Sequence, residues 1–250
     1  MNDKLRRGSL LAVVGVKQDE SILNNMIFYT SADQQIVEPY ENDFGANLIS
    51  NTYTDGKGQM VFDGDITHIG EGAFYDCRSL TNIQIPNSVT SIGEDAFTWC
   101  ENLTSIEIPN RVTSIGNSAF SCCENLTSIE IPNSVTSIGE WAFYSCSKLT
   151  SVEIGNSVTR IGDGAFNGCS NLTSVEIGNS VTSIGEYAFS GCSSLSSVYI
   201  KSITPPTLYS YAFDDNAHVR KIYVPRASRS AYKTASGWSN YSSAIEPYDY

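Results

Sequence analysis

One spacing governs this sequence. Phenylalanine recurs every 23 residues, at Phe74, Phe97, Phe120, Phe143, Phe166 and Phe189, and again at Phe213 after 24. An alanine precedes each of them. A cysteine stands three residues after each of the first six (Cys77, Cys100, Cys123, Cys146, Cys169, Cys192), and Asn216 holds that place in the seventh. The unit reads A-F-x-x-C-x-x-L-x-x-I-x-I-P/G-N-x-V-T-x-I-G-x-x. Five successive copies of N-x-V-T-x-I-G begin at Asn87, Asn110, Asn133, Asn156 and Asn179. A fixed period of this length marks a stacked array rather than a single globular core.

The residues of the unit predict its shape. Leu103, Ile106 and Ile108 form an L-x-x-I-x-I block whose alternating end is a short strand with one buried face. Pro109-Asn110 or Gly155-Asn156 then turns the chain. Val112 and Ile115 point back inward, and Gly116 ends that segment. Glu94-Asp95-Ala96-Phe97 suits a helical or 3₁₀ turn that carries Phe97 into the core. A 23-residue unit cannot bury its apolar edge alone, so neighbours must stack into a continuous core. Parallel strands about 4.8 Å apart over seven repeats give a rod of about 34 Å. The expected fold is a leucine-rich-repeat solenoid, an α/β right-handed superhelix. Short parallel strands would line one face, with turns and short helices on the other.

The pattern A-F-x-x-C-x-x-L-x-x-I-x-I-P resembles the BspA-like, or treponeme-type, leucine-rich repeat over residues 58–225. Members of that family occur in host-associated anaerobic bacteria and some protist parasites. They are mostly surface or secreted proteins implicated in adhesion. The resemblance implies that class of role and an extracellular or cell-surface location. It implies no catalytic residue, no cofactor and no named ligand.

Residues outside the period read as caps. The array spans 58–225, with Met60, Val61 and Phe62 starting a partial repeat because they fall 23 residues before Ile83, Gln84 and Ile85. Residues 1–57 form the N-terminal cap. There Ile27–Thr30 and Ile36-Val37 predict a β-hairpin across Ser-Ala-Asp-Gln. Residues 226–250 form the C-terminal cap, with a short helix around Ala227–Ala235 and an aromatic tail of Trp238, Tyr241, Tyr248 and Tyr250. Lys4, Arg6 and Arg7 ahead of the apolar stretch Leu10–Val16 hint at a signal peptide, but no clear small-residue cleavage site follows.

Charge narrows the partners. The net charge is −12, from 15 basic and 27 acidic residues. A chain this acidic repels phosphate backbones, so nucleic acid is not an expected partner. No apolar run approaches the roughly 20 residues of a transmembrane helix. The acidity sits in the array, where residues 66–201 carry 13 acidic and 5 basic side chains. A basic cluster near the C-terminus, Arg220, Lys221, Arg226, Arg229 and Lys233, reads as a solubilising surface.

The candidate sites lie on the array. Six of the seven cysteines occupy one repeat position, where equivalent Cβ vectors run parallel and about 5 Å apart, wider than the roughly 3.8 Å of a disulfide. They read as small buried apolar residues, and thiolates in one row cannot surround a zinc ion. Cys122, outside that row, is expected to be exposed and oxidisable. The outward strand positions give one column of Gln84, Glu107, Glu130, Glu153, Glu176, Tyr199 and Tyr223. A hydroxyl column of Ser105, Ser128, Ser151, Ser174 and Ser197 runs beside it. This is either a face for a basic partner or cations, or one soluble strand copied by duplication. Tyr75, Trp99, Trp141, Tyr144, Tyr187 and Tyr211 lie within two residues of the repeat Phe, where they form an interaction surface or are ordinary exposed aromatics.

Catalysis has little support. His68 and His218, the two histidines, fall at opposite ends of the rod. No G-x-S-x-G, phosphate loop or metal-spaced cluster occurs, and Asp63-Gly-Asp65 lacks the remaining ligands of a calcium loop. The chain reads as a non-enzymatic surface or secreted protein, an adhesin-type binder of a protein or glycan through the solenoid surface. The alternative is a spacer in a cell-envelope assembly with no ligand of its own.

Overall fold

A computed structural model describes residues 24–41, 43–217 and 220–249. The chain winds as a β-solenoid of about seven turns. The N-terminal cap supplies β1 (Met26–Ser31), β2 (Leu48–Thr54) and β3 (Lys57–Phe62). Each repeat then contributes a strand from its L-x-x-I-x-I block and a two-residue strand from its T-x-I segment. In chain order these are β4 (Leu80–Gln84), β5 (Ser91–Ile92), β6 (Ser105–Ile106), β7 (Ser114–Ile115), β8 (Ser128–Ile131) and β9 (Ser137–Ile138). They continue as β10 (Ser151–Ile154), β11 (Arg160–Ile161), β12 (Ser174–Ile177), β13 (Ser183–Ile184), β14 (Ser197–Ile200) and β15 (Thr207–Leu208). The C-terminal end adds β16 (Lys221–Pro225) and β17 (Ile245–Tyr248).

Three sheets result: β2-β3-β1-β4-β6, then β8-β10-β12-β14-β16-β17, and β5-β7-β9-β11-β13-β15. Repeats pair in parallel with strict register, so Val152 faces Val175 and Ile154 faces Ile177. The repeat threonine has a specific role in the narrow sheet. Thr113 donates its N–H and its Oγ1 to the carbonyl of Thr90, at 2.8 and 3.1 Å. The I-G step, present from Ile69-Gly70 to Ile184-Gly185, follows from close approach of successive coils. A Cβ at Gly116 would lie 2.5 Å from the backbone of Gly93.

Inside, the repeat phenylalanines are fully buried and stacked. Their ring centroids are 5.0–5.4 Å apart and their planes within 10° of parallel from Phe74 to Phe213. Leucine and isoleucine columns complete a single core running the length of the rod.

The helical turn expected before each Phe is not formed, and within the described repeats no helix occupies the face opposite the strands. Tight corners stand there instead. Gly72, Phe74 and Asp76 donate across to the carbonyls of Glu94, Ala96 and Thr98 in the next coil. The intervening Ala73, Tyr75 and Cys77 close turns within their own coil. Because alternate N–H groups leave the coil, an i→i−4 run cannot propagate. The residues two before and two after each Phe adopt positive φ, which breaks a helix outright.

The N-terminal cap also differs from expectation. Ile36-Val37 forms no strand. β1 lies between β3 and β4 and is antiparallel to both. The hairpin is β2–β3, closed by Asp55-Gly56 with φ of 51° and 79°, the two-residue turn that suits strand twist. Met60, Val61 and Phe62 therefore sit in β3, separated from β4 by β1, and do not stack as a partial repeat. Phe44 extends the aromatic core into the cap, 5.0 Å from Phe62 and 5.7 Å from Phe74.

At the far end a 3₁₀ turn (Arg226–Ser228) leads into α1 (Arg229–Thr234), and β17 adds in parallel to β16. Trp238 and Tyr232 plug the last coil. Both are fully buried, with the indole N–H donating to Pro206 O at 2.7 Å and the phenol to Ser202 O at 2.9 Å. Residues 1–23, including the apolar stretch Leu10–Val16, and His218 and Tyr250 lie outside the described residues.

Candidate binding surfaces

The repeat geometry displays two sets of side chains. On the wide-strand face, parallel register places Glu130 beside Glu153, Glu153 beside Glu176, Glu176 beside Tyr199 and Tyr199 beside Tyr223. Glu246 of β17 continues the column after Tyr223. Glu107 is exposed but falls just beyond the hydrogen-bonded residues of β6. The charges are not uniform along the column. Glu176 is ion-paired with Lys201, and Glu246 with Lys221 and Arg229. The hydrogen bond from Lys221 holds the Glu246 carboxyl below its ordinary range, with the charges of Lys221 and Arg229 adding to it. Among the described residues no basic side chain pairs with Glu130 or Glu153. Tyr199 and Tyr223 stack at 4.7 Å, and Tyr248 meets both edge-on.

The second set lies at the corner around each repeat Phe. Trp99, Trp141, Tyr144, Tyr187, Tyr211 and Tyr75 all stand there, between 36% and 51% exposed. They form local pairs. Trp141 meets Tyr144 edge-on at 5.5 Å, and Tyr187 stacks on Tyr211 at 5.1 Å. Gly164, with φ of 59°, makes the first pair possible, because a Cβ there would sit 2.2 Å from the Trp141 ring. At Trp99 the ring face carries the Arg78 guanidinium, 5.6 Å from the centroid, and Arg78 also pairs with Asp76 and Glu101. At Tyr187, crowding by neighbours followed by the charges of Glu186, Tyr211 and Asp214 raises the phenol above its ordinary value.

Some surface features were not visible in the repeat pattern. Tyr40, the most exposed tyrosine of the first corner, packs 5.6 Å from Tyr75. It borders a cleft of about 640 Å³ between the segment 33–40 and the first coil, lined also by Ile36, Glu38 and Cys77. Residues 24–57 lack the period, so only three-dimensional packing brings them beside the corner.

The thiols are free, and all except Cys77 are buried. Within the row each Sγ from Cys100 onward donates to the carbonyl of the preceding repeat's Phe at 3.2 Å. Burial pushes the Cys100 and Cys123 thiols well up, and the half-buried Cys77 up to about 12. Cys122, expected to be exposed, is 6% exposed. It occupies the positive-φ position after Phe120, which folds its side chain against Ser121. His68 contacts Asp43 at 2.7 Å and Thr67 at 3.1 Å. Asp63 accepts from the backbone and side-chain N–H groups of Asn47, both at 2.8 Å, so it braces the cap. Among the described residues no group of three His, Cys, Asp or Glu is placed to hold a metal ion. No helix among them is long and apolar enough to cross a membrane.

Comparison with known proteins places this geometry. The model of the BspA type leucine rich repeat region matches in six copies, over residues 67–169 and 142–236. A leucine-rich repeat protein from Bacteroides ovatus is 34% identical with a TM-score of 0.55, over 71% of this chain and 45% of that one. The T. pallidum leucine rich repeat protein is 38% identical with a TM-score of 0.53, over 54% of this chain and 64% of that one. The pneumococcal vaccine antigen PcpA shares the fold, at 21% identity and a TM-score of 0.51, over 79% of this chain and 46% of that one. This chain thus spans between about half and two thirds of the length of these proteins. A comparison with curated protein sequences finds no match. With six repeat copies matched across most of its coils, the chain belongs to the BspA-type leucine-rich-repeat family.

Proposed function

We propose that this chain is a non-enzymatic interaction module of a cell-surface or secreted protein, binding a protein or glycan ligand through the outer surface of the solenoid. One observation carries the reading. The core positions repeat almost without change, while the exposed corner positions differ from coil to coil and hold Trp or Tyr in five of the seven coils. A rigid rod with an invariant interior and a varied aromatic exterior is built for display, since exposed aromatics are the residues most enriched where proteins bind. Membership of a family of repeat proteins supports the same reading. The test is a binding screen of the purified chain against arrays of extracellular-matrix proteins and glycans. Saturable binding to a defined molecule, lost on substitution of corner or strand-face residues, is the expected result. No saturable binding across the screen would favour a spacer without a ligand of its own.

A further inference from the structure

We propose that the corner ridge of Trp141, Tyr144, Tyr187 and Tyr211 docks a cationic protein segment, one that lays arginine or lysine side chains across the rings. This deepens the interaction reading above and rests on it.

The first support is the backbone. Every coil has two positions of positive φ, two residues before and two after its Phe, fourteen in all. Glycine, aspartate, serine or cysteine fills ten of them. Trp99, Trp141, Tyr187 and Tyr211 fill the other four. Bulky side chains are the least tolerated type in this region. The core does not require them, because these rings remain at least 36% exposed. Strained residues held on a surface are the ones expected where a ligand is gripped.

The second support is charge. Glu186 adjoins Tyr187 and has no ion-pair partner among the described residues, and both Glu186 and Asp214 act on the Tyr187 phenol. Asp214 already accepts from the Tyr241 hydroxyl at 3.3 Å, so Glu186 is the free charge here, and a ring face beside such a carboxylate attracts a guanidinium or ammonium group. The chain already shows this recognition internally, where Arg78 covers Trp99 between Asp76 and Glu101 and where Arg220 lies 4.8 Å from the Tyr241 ring centroid. Arg78 stands four residues after Phe74. The corresponding residues of the fourth, fifth and sixth coils are Ser147, Ser170 and Ser193. Among the described residues no arginine or lysine lies over the Trp141, Tyr144, Tyr187 or Tyr211 rings. Arg160 is engaged with Glu140, the chain neighbour of Trp141, so a partner would bring the cation.

The third support is spacing. Trp141 and Tyr187 are two coils apart, about 10 Å. A polyproline-II segment, with three residues per turn, advances about 9 Å in three residues and returns every third side chain to the same side. A segment with basic residues at every third position would place one over each ring pair.

The probe is a synthetic proline-rich peptide of polyproline-II form with arginine at every third position, titrated into the intact chain at low salt. Trp141→Gly, Tyr187→Gly and Tyr211→Gly remove rings where the backbone favours glycine. Circular dichroism and the Tm report whether each variant is folded. Saturable binding is expected, weakened at least tenfold in the Tyr187→Gly, Tyr211→Gly double variant and at least tenfold when citrulline replaces arginine. Glu130→Gln with Glu153→Gln on the strand face should change it less than threefold. The proposal is overturned if the citrulline peptide binds equally, if the strand-face variant abolishes binding while the ridge variants do not, or if the peptide fails to bind. Ridge variants that lose only a neutral oligosaccharide would assign the surface to glycans instead. If the peptide fails but another ligand is captured in the wider screen, this inference falls and the interaction reading stands.

Discussion

The side-chain amide of Asn216 donates to the carbonyl of Phe189 at 2.7 Å. It takes the place held in the preceding coils by a thiol, as where Cys192 donates to Phe166 O at 3.2 Å. The row of cysteines is therefore a row of donors as well as a row of small buried side chains. Replacing Cys146 by Val, close in size but without a donor, should lower stability by about 0.5 kcal/mol, since S–H is a weak donor and Phe120 O still accepts from the Cys123 N–H. Chemical denaturation measures it. Unchanged or higher stability would mean that the thiol only fills space.

The thiols also set a pH dependence. Burial raises them in the folded state. A group whose folded pKa exceeds its unfolded value stabilises fully below the unfolded value and loses that contribution as pH rises. Unfolding midpoints should therefore decline as pH passes the ordinary thiol range, about 8.5. A variant with Cys100, Cys123 and Cys146 replaced by Ala should decline less between pH 8 and 10. Equal slopes would show that other groups carry the dependence. In the native state the same thiols should react slowly with thiol reagents, and quickly once unfolded.

Phe143 stacks between Phe120 and Phe166 and is fully buried. Phe143→Ala should cost about 3–5 kcal/mol, since neighbouring coils are fixed by their own sheets and cannot collapse into the gap. A loss below about 1 kcal/mol would contradict this stacking.

Glu130 and Glu153 are in register about 4.8 Å apart. Two exposed unit charges at about 5 Å repel by about 0.8 kcal/mol in water. Glu130→Gln should therefore raise the Tm at low salt, with the gain shrinking in high salt. Glu176→Gln should not, because Glu176 is ion-paired with Lys201. A rise of equal size at both positions would mean that the Lys201 pair offsets nothing.

How far the sequence spoke depended on whether a residue type was tied to one environment. Phe, Leu and Ile at fixed spacing belong inside a stack, so the solenoid and its core were legible. The corners were not. Their positive-φ positions hold Gly, Asp, Ser, Cys, Trp and Tyr, and so leave no single-residue signature. A Glu-Asp-Ala-Phe run accordingly reads as helical by residue type alone. In the N-terminal cap, Asp55-Gly56 marks the hairpin turn, whereas the apolar pair Ile36-Val37 buries Val37 from a segment that joins no sheet. The strand-face column was legible from alternation alone. Which of its glutamates are neutralised was not, because Lys201 falls at a position with no basic counterpart in the coils before it.

The corner backbone makes a prediction of unusual sign. In most settings glycine is less stable than alanine by about 0.5–1 kcal/mol, because it loses more freedom on folding. At Trp141, with φ of 56°, alanine would retain the left-handed strain of about 1–2 kcal/mol that glycine escapes. Both substitutions remove the same ring, so their difference isolates the backbone. Trp141→Gly should be as stable as Trp141→Ala or more stable, by up to about 1 kcal/mol. Tyr144 touches the same ring from a position outside the positive-φ set. There the ordinary order should hold, with Tyr144→Gly less stable than Tyr144→Ala. Thermal denaturation of the four variants decides it. If glycine is the weaker residue at both sites, Trp141 is not strained, and the argument that its ring is retained against the backbone's preference fails.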